Sequence, residues 1–131
     1  MSQLEKIIKD SSFVIEDGIY SVAKVEGGIL PTGCFMVTKD QMEITAIYRS
    51  DLDIRNVVDK KDGYVLIGID VSIPFYSVGF IAEITRRLAN EGINVLVVST
   101  FSRDYVLVSN QHKEVSRNTL VKMGMADNSN V

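Results

Sequence analysis

From Tyr64 onward the apolar residues spell out strand, helix, strand, strand, helix. This order constrains the fold more than any other feature of the chain. Tyr64–Val71 (YVLIGIDV) is an almost unbroken apolar strand. Ser77–Asn90 places Val78, Ile81, Ala82, Thr85, Leu88 and Ala89 on one helical face and Glu83, Arg86, Arg87 and Asn90 on the other. Gly92 then stops the helix as a C′ residue. Ile93–Thr100 (INVLVVST) is the next strand, Phe101–Asp104 a turn, and Tyr105–Ser109 (YVLVS) its antiparallel partner. A last helix runs from Lys113 to Met123 with Val115, Thr119, Leu120 and Met123 as its buried stripe, and Gly124 ends it. A strand, a right-handed crossover helix and a parallel strand, followed by a hairpin and a second helix, make a split βαβ with its helices on one face.

A complete βαββαβ unit needs a fourth strand, and none follows Met123. The tail MADNSNV is polar and is expected to fray. The first half, by contrast, has strands to spare. After a short amphipathic helix over residues 3–9, FVIEDGIYSVAKV reads as two extended pieces broken at Asp17-Gly18. Asp-Gly can make a tight turn, but Phe13–Glu16 is too short to secure a hairpin. Cys34–Thr38 and Met42–Tyr48 form a strand–turn–strand, and Asp51–Val58 has the spacing of a short helix with Asp51 as its N-cap. Lys60-Lys61-Asp62-Gly63 is the polar break between halves. The expected fold is therefore α+β and ferredoxin-like: two βαββαβ units sharing or exchanging a strand, with antiparallel sheets and helices on one face. The expected division is 1–61 for the incomplete first unit, 62–124 for the second, and 125–131 for a flexible tail.

Several function classes are disfavoured at once. Lys and Arg total 14 against 17 Asp and Glu, a net charge of −3, so a broad basic surface for nucleic acid or an anionic membrane is not expected. The aromatics are not interleaved with Arg and Lys as on a single-strand RNA-binding sheet. Charges interrupt the N-terminal stretch, which is no signal peptide, and no 18-residue apolar run appears. With Cys34 as the only cysteine, the chain is expected to be cytoplasmic. Cys34 and His112 cannot make a zinc site alone, and no P-loop, GxGxxG or HExxH occurs. Cys34 reads as a core thiol rather than a nucleophile. No catalytic residue, metal or cofactor is expected, and the chain is read as a non-enzyme.

Ser77-Val78-Gly79 stands at the mouth of the second-half helix, straight after a strand. Helix N-terminal amides suit a ligand carboxylate, and Gly79 lets it come close to the backbone. Ser77 as a simple N-cap, with Gly79 packed on the sheet, fits the same letters. Asp104 reads equally well as a plain turn residue.

STFSRDYVLV (Ser99–Val108) resembles a characteristic stretch of the ACT domain: Ser-Thr-aromatic, then Asp-Tyr and an apolar run. Gly79, Leu88, Ala89, Gly92 and Ile93 within SVGFIAEITRRLANEGINVLVV match the helix before it. The resemblance is closest to short tandem-ACT proteins related to aspartate kinase regulatory domains and to eukaryotic cytosolic arginine sensors. In CFMVTKDQMEIT the residues Thr38 and Asp40 match the first unit's pattern, while Gln41, Glu43 and Val78 depart from it. The resemblance implies an amino-acid site at the loop Ser77, Val78, Gly79 and Phe80. Asp104 would lie near the ligand's ammonium, and Thr100 and Phe101 would supply a hydroxyl and an apolar wall. Glu43, with Ile44 beside it, would add negative charge and favour a cationic side chain if it faces the site; as an exposed strand glutamate it needs no role. The function expected on this basis is an amino-acid-binding regulatory module, standing alone and acting allosterically in trans on an unidentified protein partner. The chain, with its tandem-repeat units, would pair with a second copy as a homodimer, as ACT domains commonly do. The alternative is a structural or interaction protein whose ligand site has decayed.

Overall fold

The computed structural model describes residues 1–129. The chain divides into two compact units, one made of Met1–Glu16 with the chain from Val65 on, the other of Asp17–Tyr64. The polar break expected as the boundary at 61/62 instead lies inside one strand. That strand, β5, runs from Val57 to Asp70 and contributes its two ends to different units.

In the discontinuous unit, α1 (Gln3–Lys9) and β1 (Ser12–Ile15) come first. After β5 follow α2 (Phe80–Asn90), β6 (Leu96–Ser99), β7 (Asp104–Ser109), α3 (Lys113–Lys122) and β8 (Ala126–Asp127). The strands lie in the order β8-β1-β5-β7-β6. β1 pairs antiparallel with the C-terminal end of β5, Ser12 opposite Asp70 and Ile15 opposite Ile67. It therefore occupies the slot beside the first strand that a fourth strand would fill in a βαββαβ unit. The helices share one face: Ile7 and Ile8 of α1, Phe80, Ile84 and Leu88 of α2 and Leu120 of α3 pack in one core with Phe13, Ile67, Ile69, Val106 and Val108. This is the α+β, ferredoxin-like architecture.

The helix ends follow local rules. Ser2 caps α1 by accepting from the Glu5 amide at 3.0 Å. Gly92 and Gly124 both have positive φ. At each, two amides return to the last turn: Gly92 to Ala89 and Ile93 to Leu88, Gly124 to Val121 and Met125 to Leu120. Both are Schellman ends, which favour a residue with no Cβ. The face α3 buries is Ser116, Thr119 and Leu120, while Val115, expected in the stripe, is exposed.

The tail is the main departure here. Expected to fray, it adds β8 in parallel to β1. Asn128 donates its amide to the Phe13 carbonyl, and Ser129 Oγ accepts from the Ile15 amide at 2.8 Å. Arg117 of α3 holds Asp127. The open edge of β1 needs hydrogen-bond partners, and a short polar strand supplies them. Residues 130 and 131 of the expected tail lie outside the described residues.

In the unit Asp17–Tyr64, β2 (Tyr20–Val25), β3 (Met36–Lys39), β4 (Ile44–Arg49) and the N-terminal end of β5 form a sheet in the order β3-β4-β2-β5. β3 and β4 make the expected hairpin, Met36 opposite Ile47. Asp17-Gly18 closes no hairpin, because β1 and β2 each pair with β5. The helix expected at 51–58 does not form: the segment is a loop until β5 begins at Val57. Leu52 and Ile54, which set its apparent period, instead pack from that loop onto Ala23, Val25, Ile44, Ala46 and Tyr48. Burial from a loop overrides a weak local helical preference.

Candidate functional site

Seven of the expected site residues meet in the discontinuous unit. Ser77, Val78, Gly79, Phe80, Thr100, Phe101 and Asp104 all line one cavity of about 460 Å³. Its walls are the segment between β5 and α2, the first turn of α2, and the turn between β6 and β7.

The mouth of α2 differs in detail from the expected cap. Gly79, not Ser77, is the N-cap, at φ +85, and it offers no side chain to the helix. The Ser77 hydroxyl donates instead to the Ile73 carbonyl, bracing the loop, and the Ser77 carbonyl accepts from the Phe80 amide at 3.2 Å. The first bond of α2 runs from the Glu83 amide to the Gly79 carbonyl. Ile81 and Ala82, whose amides belong to the turn that a helix leaves without internal acceptors, line the cavity. With no capping hydroxyl from Gly79, these amides and the positive end of the helix dipole are offered to whatever enters. A Cβ on Gly79 would find ordinary space, 3.7 Å from Leu4. Its backbone conformation, rather than close approach, is what calls for glycine.

On the opposite wall, Thr100 closes the β6–β7 turn. Its amide donates to the Arg103 carbonyl at 2.8 Å and its hydroxyl to the same oxygen at 3.2 Å. The Thr100 hydroxyl is thereby engaged within the turn. Asp104 lies just past the turn as the first residue of β7, opposite Ser99 of β6. Ser99 Oγ donates to Asp104 Oδ1 at 2.6 Å, fixing the carboxylate and leaving Oδ2 to other donors. Phe80 is buried in the core, whereas Val78, Phe75 and Phe101 are 93%, 74% and 84% exposed. The Phe75 and Phe101 rings meet edge to face, their centroids 5.3 Å apart.

Glu43 and Ile44 belong to the other unit. Ile44 is buried in its core, and Glu43 precedes it in the turn between β3 and β4. Asp40 builds that turn: its Oδ1 accepts from the Met42 and Glu43 amides, each at 2.8 Å. These two amide bonds hold the Asp40 carboxyl below the usual carboxylate range. Cys34 is half-buried, and desolvation pushes its thiol pKa up, away from the thiolate a nucleophile needs. Among the described residues no group of three or more His, Cys, Asp or Glu could hold a metal, and no helix is long and apolar enough to cross a membrane.

Sequence reasoning missed Phe75 and Arg103. Phe75 sits in a loop with no period to read, and its φ of +69 is unusual for a large side chain. Arg103 belongs to the turn that lines the cavity, but its guanidinium is turned to the helix-free face of the sheet, beside Gly68 and Tyr105, where it makes a two-pronged bond to Asp70. That bond and a weaker one to Tyr105 raise its pKa further, so it is charged at every accessible pH.

Residues 59–122 match the family model of the ACT domain. No curated protein matches the sequence. Among solved structures, a protein from Agobacterium tumefaciens is 21% identical with a TM-score of 0.73, the match covering 92% of this chain and 94% of that one. A protein of unknown function from Vibrio cholerae, described as a possible transport protein, is 18% identical with a TM-score of 0.77 over 93% of this chain and 96% of that one. The regulatory subunit of aspartate kinase from Thermus thermophilus is 7% identical with a TM-score of 0.62, over 86% and 97% respectively. At such identities the likeness is one of fold.

Proposed function

We propose that this chain, which carries an ACT domain over residues 59–122, is an amino-acid-binding regulatory module without catalytic activity of its own. It would act in trans on a protein partner that distinguishes its free and bound states. The observation that supports this reading is the single cavity with first-turn amides of α2 on one wall and Asp104 on the other. A free amino acid carries a carboxylate and an ammonium on one carbon, and the two walls offer each its complement. The likeness in fold to an aspartate kinase regulatory subunit agrees with a regulatory role.

A thermal-melting screen with the twenty amino acids, followed by calorimetry on any that stabilise, tests this directly. Asp104→Ala should weaken binding roughly ten- to a hundred-fold, the worth of one charge-assisted contact, and leave the unliganded fold intact. Undiminished affinity in that variant would remove Asp104 from the site. No stabilisation by any amino acid would favour a structural or interaction role.

The module is further proposed to work as a homodimer. β6 pairs only with β7 among the described strands, so its outer edge, with Val97 exposed, is open to a second copy. Light scattering at micromolar concentration should give twice the chain mass, and a monomer there would exclude a dimer of useful stability.

A further inference from the structure

Alternate residues of a strand point to opposite faces of its sheet. Ile67 and Ile69 of β5 and Val106 and Val108 of β7 face the helices as part of the core. Gly68, Asp70 and Tyr105 therefore lie on the helix-free face, and the Arg103 side chain joins them there. Its fork is filled by Asp70: Nε donates to Oδ1 and Nη2 to Oδ2, both at 2.8 Å. Nη1 donates to the Tyr105 hydroxyl at 3.4 Å and lies 3.7 Å from Glu16 Oε1. The guanidinium also lies over the Tyr105 ring, 5.8 Å from its centroid. Gly68, in a strand paired on both sides, leaves room for this arrangement. A Cβ there would stand 3.0 Å from the Tyr105 ring, 3.1 Å from Arg103 Nη1 and 3.2 Å from Arg103 Cδ. Glycine inside a strand weakens it and marks a close approach, here that of the arginine side chain.

The two partners stand at the roots of the two cavity walls. Asp70 is the last residue of β5, and the next residue, Val71, already lines the cavity. Arg103 is flanked by Ser102 and Asp104, which both line it. The Arg103 carbonyl accepts from the Thr100 amide at 2.8 Å and from the Thr100 hydroxyl at 3.2 Å, so the same residue closes the β6–β7 turn. At the mouth the walls meet where the Phe75 and Phe101 rings touch. At the base the Asp70–Arg103 pair joins them from the far face of the sheet. A two-pronged pair fixes direction as well as distance, which a single charge contact does not.

We propose that Asp70 and Arg103 are positioning residues of the cavity: bonded on the helix-free face, they hold the β6–β7 turn at a set distance from the segment after β5, and so govern how tightly the two walls grip a ligand that neither side chain touches. This rests on reading the cavity as an amino-acid site. The role is geometric, so the fork of the guanidinium is needed and its charge alone does not suffice.

Two variants of the full chain test this. Asp70→Asn keeps the shape and removes the charge; Arg103→Lys keeps the charge and removes the fork. The first readout needs no ligand. By amide hydrogen exchange, Thr100 should exchange about tenfold faster in both variants, the worth of one charge-assisted hydrogen bond, while Val108 in the core of β7 stays within about twofold. The second readout is calorimetric titration with each of the twenty amino acids. Any that binds the unmodified chain should bind both variants about tenfold more weakly, as when one charge-assisted contact with the Asp104 wall is lost. Thr100 exchange that is unmoved overturns the proposal. So does Val108 exchange that quickens as much as that of Thr100, because the pair would then only stabilise the fold. If an amino acid binds and the variants hold it undiminished, the reading of the cavity stands and the positioning role falls. If none of the twenty binds the unmodified chain, the reading of the cavity falls and takes the positioning role with it.

Discussion

The two units cover their sheets by different means. In the discontinuous unit three helices lie on one face of the sheet, and the core runs through Phe13, Ile67, Ile69, Ile84, Leu88 and Leu120. In Asp17–Tyr64 there is no helix at all. Its core is the small cluster Ala23, Val25, Ile44, Ala46 and Tyr48, roofed by Cys34, Leu52 and Ile54 from loops and by Val37 of β3. A helix announces its buried face through a 3.6-residue period, while a loop that folds down on a sheet leaves no period. The matched family region, 59–122, accordingly lies mostly in the helical unit.

This difference can be broken from either side. The largest effect is expected at Phe13, fully buried on a strand that comes from the far end of the sequence. Phe13→Ala should cost about 3–5 kcal/mol, and Ile44→Ala in the loop-covered unit about 2–3 kcal/mol, because a cluster closed by loops relaxes more easily around a cavity. Urea unfolding measures both. Equal costs would mean that the loop roof is packed as firmly as the helices. Hydrogen exchange then sharpens the point: Phe13→Ala should speed exchange in Val106 and Val108 more than in Ala46, and the reverse order would show that β1 is not integral to the helical core.

A smaller effect is expected at the tail. Burial pushes the Asp127 carboxyl up, but Ser129 and Arg117 together outweigh it and hold the carboxyl below its usual range. Lowered in the folded state, it contributes stability that is present above the usual carboxylate pKa and is lost as pH falls through the folded value. Acidification below about pH 4, the ordinary range for Asp, should therefore loosen β8 and speed exchange at the Ile15 amide. Arg117→Ala should do the same at neutral pH, at a cost of about 1 kcal/mol for a partly exposed pair. A tail whose exchange is fast already in the unmodified chain would return it to the frayed state its composition suggests.

Most of the second half is legible in the sequence. The apolar end of β5 from Tyr64, though not its polar start at Val57, the helix to Asn90, the hairpin to Ser109 and the two glycine stops all rest on local period or local φ. Seven expected site residues line one cavity because they sit at two chain reversals that the same pattern places at one end of the sheet. Misreadings came where a local pattern had no local cause. Leu52, Ile54, Val57 and Val58 fell at helical spacing because the first two cover a sheet from a loop and the last two begin a strand. The Asp17-Gly18 pair suggested a turn between neighbours, whereas the two strands it separates pair with different ends of β5.

The sequence by itself determined which segments are helices and strands in the second half, where they stop, and that a fourth strand had to come from elsewhere. These follow from interactions within a few residues of one another. Only the tertiary structure decided that Ser12–Ile15 supplies that strand, that the polar tail closes its edge, and that Arg103 is spent on Asp70. Strand pairing and ion pairing join groups far apart in the chain. Any short apolar strand could complete the sheet, and any carboxylate could take the guanidinium. The choice among equivalent partners is made by which of them the packed core brings within hydrogen-bond reach.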